Sequence, residues 1–327
     1  MNTSGKSTTW RKYLQMREVN VFSALVVIVI LMSLLSPYFL TRENIFNLLR
    51  GMSTIGIMAI GQTMVIITGG IDLSVGSVLA VSSMLTARLI TVHDENAFLS
   101  LLFGLSSGLL LGTINGLIIT RFKINPFIAT LATLSVFRGT NYLISQMITV
   151  TDFPASFVKI GQGSFLGIPI PVYIMLIVVT IAFIFMKKSK FGFHLVATGG
   201  NVEASRVNGI NITSMRFLAY ILCGLCVAIA AVIMTARTAS AQVGAGTNME
   251  LDAIAAVVIG GTSLSGGNAN VWGTLFGCLV VGFVNNGLNL LNIDPSWQVV
   301  AKGMLILLAV VLDTASTGLY TKKSRKL

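Results

Sequence analysis

Asp72 stands between two long apolar runs, in the stretch Gly69-Gly70-Ile71-Asp72-Leu73-Ser74-Val75-Gly76. A carboxylate so placed is costly in hydrocarbon, and an intramembrane acid is by default a functional candidate. Two roles stand open for it. It can cap the helix that begins near Leu73 by accepting backbone amides, or it can line a polar pathway. A second stretch, Gly260-Gly261-Thr262-Ser263-Leu264-Ser265-Gly266-Gly267, matches the first at five of eight positions. Glycine frees the backbone, and Ser and Asp satisfy amides at a new helix start. Both stretches therefore read as breaks in membrane helices. Such breaks are tolerated at membrane depth only inside protein or along a polar cavity, and transporters build substrate sites from them.

Amides recur in the apolar runs: Gln62, Asn115, Asn141, Asn285, Asn286, Asn289 and Gln298. Facing a pore, they suit a neutral polyol such as a sugar. Facing another helix, each is an interhelical hydrogen bond worth about 1–2 kcal/mol or less. Gln62, Asp72, Ser74, Asn115 and Asn285 are the candidate pathway residues. Arg138 and Lys302 also fall within expected helices, as candidate partners for a carboxylate such as Asp72 or Asp252.

Several chemistries are excluded. The sequence has no G-x-x-x-x-G-K-[ST] loop for nucleotide phosphates and no H-E-x-x-H motif. Nothing in it argues for a catalytic centre, a resident cofactor or a metal site. Cys223, Cys226 and Cys278 all lie in apolar runs. On a membrane helix the Cys223-x-x-Cys226 spacing places two small apolar residues on one face, with no redox role implied.

The elements that must position these residues follow from composition. Of 327 residues, 54% are hydrophobic and 10% charged, with mean hydropathy +0.86. A soluble domain carries about 25% charged residues, so lipid must solvate much of this chain. A membrane-crossing helix needs about 20 apolar residues. Apolar runs at 21–40, 45–68, 73–91, 97–120, 126–150, 165–186, 212–236, 251–261, 271–292 and 297–315 predict an all-α polytopic bundle of about ten helices. The chain reads as one transmembrane domain over 1–327. Gly104, Gly108, Gly112 and Gly116 fall every four residues, a small-residue face for close helix packing.

The net charge of +11 is not a nucleic-acid footprint, because its basic residues sit between apolar runs. Lys6, Arg11, Lys12 and Arg17 precede the first. Arg121 and Lys123 separate two more, and Lys187, Lys188, Lys190, Arg206 and Arg216 fill or border the 187–211 loop. Lys322, Lys323, Arg325 and Lys326 close the chain, so these groups hold 15 of the 22 Lys and Arg residues. Cytoplasmic segments carry such an excess. With ten crossings, the segment 1–20, the loop 187–211 and the tail 316–327 all lie on the cytoplasmic side.

Four motifs in order resemble one family over about residues 20–313. They are Gly61-Gln62-Thr63-Met64 through Ser77; Asn125-Pro126-Phe127-Ile128-Ala129-Thr130-Leu131; Ala197-Thr198-Gly199-Gly200-Asn201 through Asn211; and Val258 through Gly267. The chain is similar to the permease subunits of bacterial sugar ABC importers, of the ribose-permease type. The resemblance implies a second permease subunit, identical or different, and two cytoplasmic ATP-binding-cassette subunits that bind ATP and Mg. It also implies a soluble sugar-binding protein, and a place in the bacterial inner membrane. Glu203-Ala204-Ser205 with Gly209 resembles the importer motif E-A-A-x-x-x-G, with Ser205 replacing the second alanine. By that resemblance Gly199, Gly200, Asn201, Glu203, Ala204, Arg206 and Gly209 form the ATPase-coupling segment. The competing expectation is an ion-coupled secondary transporter of a small polar solute, with Asp72 as the coupling carboxylate.

Overall fold

The computed structural model describes residues 17–93 and 97–324. The expected basic residues Lys6, Arg11, Lys12, Arg325 and Lys326 lie outside them. The described residues form thirteen helices and one two-stranded hairpin. In chain order they begin with α1 (Arg17–Leu35), α2 (Arg42–Ile66), α3 (Val75–His93), α4 (Ala97–Arg121), α5 (Pro126–Ser145) and α6 (Ala155–Gln162). The hairpin β1 (Ser164–Phe165) and β2 (Ile168–Pro169) follows, antiparallel with Phe165 opposite Ile168. Then come α7 (Ile170–Lys188), α8 (Lys190–Gly200), α9 (Val202–Val207), α10 (Ile212–Thr238), α11 (Met249–Ile259), α12 (Val271–Leu290) and α13 (Pro295–Ser324).

Each of the ten expected apolar runs holds a helix. Five of these, in α2, α4, α7, α10 and α12, are long and apolar enough to cross a membrane. Shorter apolar stretches lie in α1, α3 and α13. Helix length therefore supports an all-α membrane bundle but not, by itself, the count of ten. Two boundaries also move. The fifth run stops being helical at Gln146, which takes a left-handed φ of 52°. The sixth begins as the hairpin, and helix starts only at Ile170.

The helix starts around the polar loop follow from short capping side chains. Ser189 accepts the Gly192 amide at 3.0 Å, Asn201 that of Ala204 at 2.9 Å, and Asn211 that of Ser214 at 3.0 Å. Asn125 accepts the Phe127 amide at 2.9 Å, with Pro126 opening α5. Pro suits a first helical position because its missing N–H would be orphaned there anyway.

At the centre, α2 and α10 are buried along much of their length. The glycine face of α4 packs against α10 within the chain. A Cβ on Gly112 would lie 2.5 Å from the Tyr220 carbonyl oxygen, and one on Gly108 would meet Gly224 and Ala228. Gly61 does the same for α2, where its Cβ would meet Cys226 at 2.9 Å and the Cys223 backbone at 3.1 Å. The three cysteines are free and buried: Cys223 and Cys226 fill the α2–α10 crossing, and Cys278 packs against α2, its thiol 3.4 Å from the Met52 carbonyl.

The connections sort to two ends of the bundle. The 67–74 and 260–270 breaks and the 189–211 loop meet at one end, where Gly199 contacts both Ile67 and Gly267. At the other end Gly161 of α6 abuts Ala236 and Arg237, and Arg50 donates to the Gln162 carbonyl at 2.8 Å.

Candidate translocation and coupling site

The first glycine-rich stretch lies between α2 and α3, and Asp72 organises it. Its Oδ1 accepts the Ser74 amide at 2.8 Å and the Ser74 hydroxyl at 2.7 Å. Asn115 of α4 donates to the Ser74 hydroxyl oxygen at 2.7 Å, and reaches Asp72 Oδ2 at 3.5 Å. The Ser74 carbonyl in turn accepts the Val78 amide, so α3 starts there. Asp72 is 3% exposed, and Ser74 and Asn115 are fully buried. This geometry is that of a helix entry held by an acid, with a neighbouring helix bonded into it.

Two residues not singled out in the sequence complete the junction. The Thr130 hydroxyl of α5 accepts the Leu73 amide at 3.1 Å and donates to the Pro126 carbonyl at 2.8 Å. Tyr220 of α10 seats its ring on Gly70, where a Cβ would come within 2.7 Å of the phenol oxygen. Of the remaining candidates, Gln62 is buried on α2, with Cys223 Sγ at 4.0 Å from its Oε1. Asn285 is half-buried on α12, beside Asn286, which bonds Asn44 near the start of α2, the opposite end from the junction. The structure thus brings together Asp72, Ser74 and Asn115.

Other polar membrane residues find helical partners. Asn44 of α2 and Asn286 of α12 exchange hydrogen bonds at 2.9 and 2.8 Å. Gln298 donates to Asn289 at 2.8 Å. Lys302 pairs with Asp252 at 2.8 Å, whereas Arg138 donates to the Ala245 carbonyl at 2.6 Å.

The second glycine-rich stretch converges on the first. Gly267 donates its amide to the Ile67 carbonyl at 3.0 Å. Gly69, Gly266 and Gly267 take φ of 78°, 84° and 77°, left-handed values that favour glycine. The end of α8 closes the knot, because a Cβ on Gly199 would collide with the Ile67 carbonyl and lie 2.6 Å from the Gly267 amide.

From this knot the chain runs directly into α9, a short helix whose outer side is solvent-facing. Glu203, Ala204, Arg206 and Gly209 are exposed, and Val207 is 85% exposed. Ser205 is 4% exposed and faces the protein, so a small residue fits there where alanine would also fit. Glu203 and Arg206 pair at 3.5 Å on the surface. Gly209 ends the helix with φ of 77°.

Comparison with known proteins agrees with this architecture. Residues 44–310 match the family described as branched-chain amino acid transport system / permease component. The ribose import permease of Bacillus subtilis (strain 168) is 47% identical over 300 residues, covering 91% of this chain and 93% of the relative. The ribose import permease of Haemophilus influenzae is 42% identical, with 90% and 93% covered. The D-allose transport system permease protein of Escherichia coli (strain K12) is 37% identical, with 93% and 92% covered. No solved structure matches the chain significantly.

Proposed function

Since the chain belongs to this family of transport-system permease components, we propose that it is the membrane subunit of an ATP-driven importer of a monosaccharide. The observation that carries the cargo class is 47% identity, over nearly the whole chain, to a protein named for ribose import. Ribose or a related sugar is the expected solute. The ATP and Mg would be bound by two cytoplasmic partner chains, and a soluble binding protein would deliver the sugar to a pair of permease subunits. Ten crossings with both termini cytoplasmic agree with the basic residues of the 187–211 loop, which the positive-inside rule puts in the cytoplasm.

In this reading α9 docks on the ATPase. Gly199 and Gly200 carry its movement into the 67–74 and 260–267 breaks, because backbone contacts without intervening side chains give little when pushed. The candidate pathway residues Gln62, Asp72, Ser74 and Asn115 are closed off in this conformation. A solute reaches them only when the helices around the break part.

The test is sugar uptake by cells that carry the importer, with ATP depleted in one arm and the ion gradient collapsed in the other. Loss with ATP depletion alone is the expected result. Loss with gradient collapse alone would favour the ion-coupled transporter.

A further inference from the structure

The connection between α10 and α11 is not a surface loop. Helix α10 has 27 residues, about 40 Å, and ends beside α6 at the far end of the bundle. Helix α11 has 11 residues, about 16 Å against a hydrocarbon core of about 30 Å, and ends next to the glycine knot. The chain between them must therefore descend from the far end to about mid-depth without a helix.

Side chains and backbone of α5 and its following loop hold this descent at each step. Ala241 and Val150 exchange backbone hydrogen bonds at 2.8 and 3.1 Å. Asn141 donates to the Val243 carbonyl at 2.8 Å, and Arg138 to the Ala245 carbonyl at 2.6 Å. Gly246 then packs backbone to backbone on Gly76 in the first turn of α3. Arg138 and Asn141 are three residues apart on one helix face, so one face of α5 is committed to fixing this strand of chain. Glu250 follows with one carboxylate oxygen buried against Gly76, packed into the junction and turned away from the open side.

The other side of the stretch is open. Gln242, Gly244 and Thr247 are exposed, and no atom lies within 4 Å of where a Gly244 Cβ would be. Irregular backbone does not face lipid at membrane depth, since its amides and carbonyls would go unsatisfied; it is found inside protein or along water. The exposed side therefore meets either a water-filled path or a second subunit, and its polar residues Gln242 and Thr247 favour water.

We propose that residues 239–248 line the solute pathway from the far end to mid-depth. Gln242 and Thr247, with the open backbone at Gly244, present hydrogen-bonding groups to an uncharged, hydroxyl-rich solute. Arg138 and Asn141 are positioning residues that hold the lining in place. The proposal rests on the sugar-importer reading and adds a site to it.

Cysteine accessibility in the assembled importer tests it. Gln242→Cys, Gly244→Cys and Thr247→Cys are each treated with a charged, membrane-impermeant thiol reagent, with Ile181→Cys on the lipid-facing side of α7 as control. The native cysteines are buried and give a low background. The expected result is faster labelling at 242, 244 and 247 than at 181, with loss of sugar uptake on labelling. Labelling no faster than at 181, labelling that leaves uptake intact, or exclusion of reagent through a disulfide to a second copy would each overturn the lining. ATP dependence of uptake in unlabelled vesicles is measured alongside. If it holds while labelling fails, only the lining falls; if it is absent, the importer reading itself falls.

Discussion

Gly199 approaches the carbonyl of Ile67 so closely that no side chain fits between them, and the neighbouring Gly267 amide bonds to that same carbonyl. One backbone oxygen at the end of α2 is thus the meeting point of the polar loop and both glycine-rich stretches. The importer account treats this knot as the place where movement of α9 enters the membrane helices.

Gly199→Ala places a methyl group on that contact. Overpacking of this kind costs about 1–3 kcal/mol, because the neighbours are backbone and cannot rotate aside. The variant should still assemble, with lowered thermal stability and reduced ATP-driven uptake. A fluorescence-detected melting profile of the purified complex, with uptake in the same membranes, checks both. Unchanged stability and uptake would show that the knot is looser than described.

Asp72→Ala and Asp72→Asn should separate. Alanine leaves the Ser74 amide without its acceptor, and an unmade buried hydrogen bond costs about 1–3 kcal/mol. Asparagine keeps an oxygen for that amide and should be milder in melting temperature and in uptake. Equal and complete loss of uptake in both, at normal stability, would instead mark Asp72 as an acid needed in transport.

Lys302→Met strands Asp252, which is 4% exposed. Breaking one side of a buried ion pair costs about 3–5 kcal/mol, while replacing both sides with apolar residues is often near neutral. Lys302→Met with Asp252→Leu should therefore recover most of the lost stability, read as melting temperature of the single and double variants.

Glu203→Gln breaks only a surface pair, and such pairs contribute about 0.2–1 kcal/mol. Melting should barely move. ATP-driven uptake should fall because the altered residue sits on the exposed face of α9. Normal uptake would remove Glu203 from the coupling segment.

Much of this was readable in the sequence because membrane helices announce themselves by composition alone. Both breaks were legible from glycine next to Ser and Asp, and the glycine face of α4 from its four-residue repeat. The partners of Lys302 and Arg138 were not, since each could have met several groups far off in sequence. The contacts that join Gly199, Ile67 and Gly267 are likewise long-range, and a glycine does not name what it approaches. The 239–248 stretch gave the weakest signal: a short eighth run was visible, but nothing local showed that the chain before it descends into the bundle along Arg138 and Asn141.

The central claim is that this chain moves sugar only as one part of an ATP-driven assembly. The most direct measurement is labelled ribose accumulation in proteoliposomes, holding either this chain alone or the chain with its ATPase and binding-protein partners. The account predicts accumulation only in the full assembly, with ATP on the cytoplasmic side. Accumulation by the chain alone under a proton or sodium gradient would contradict it.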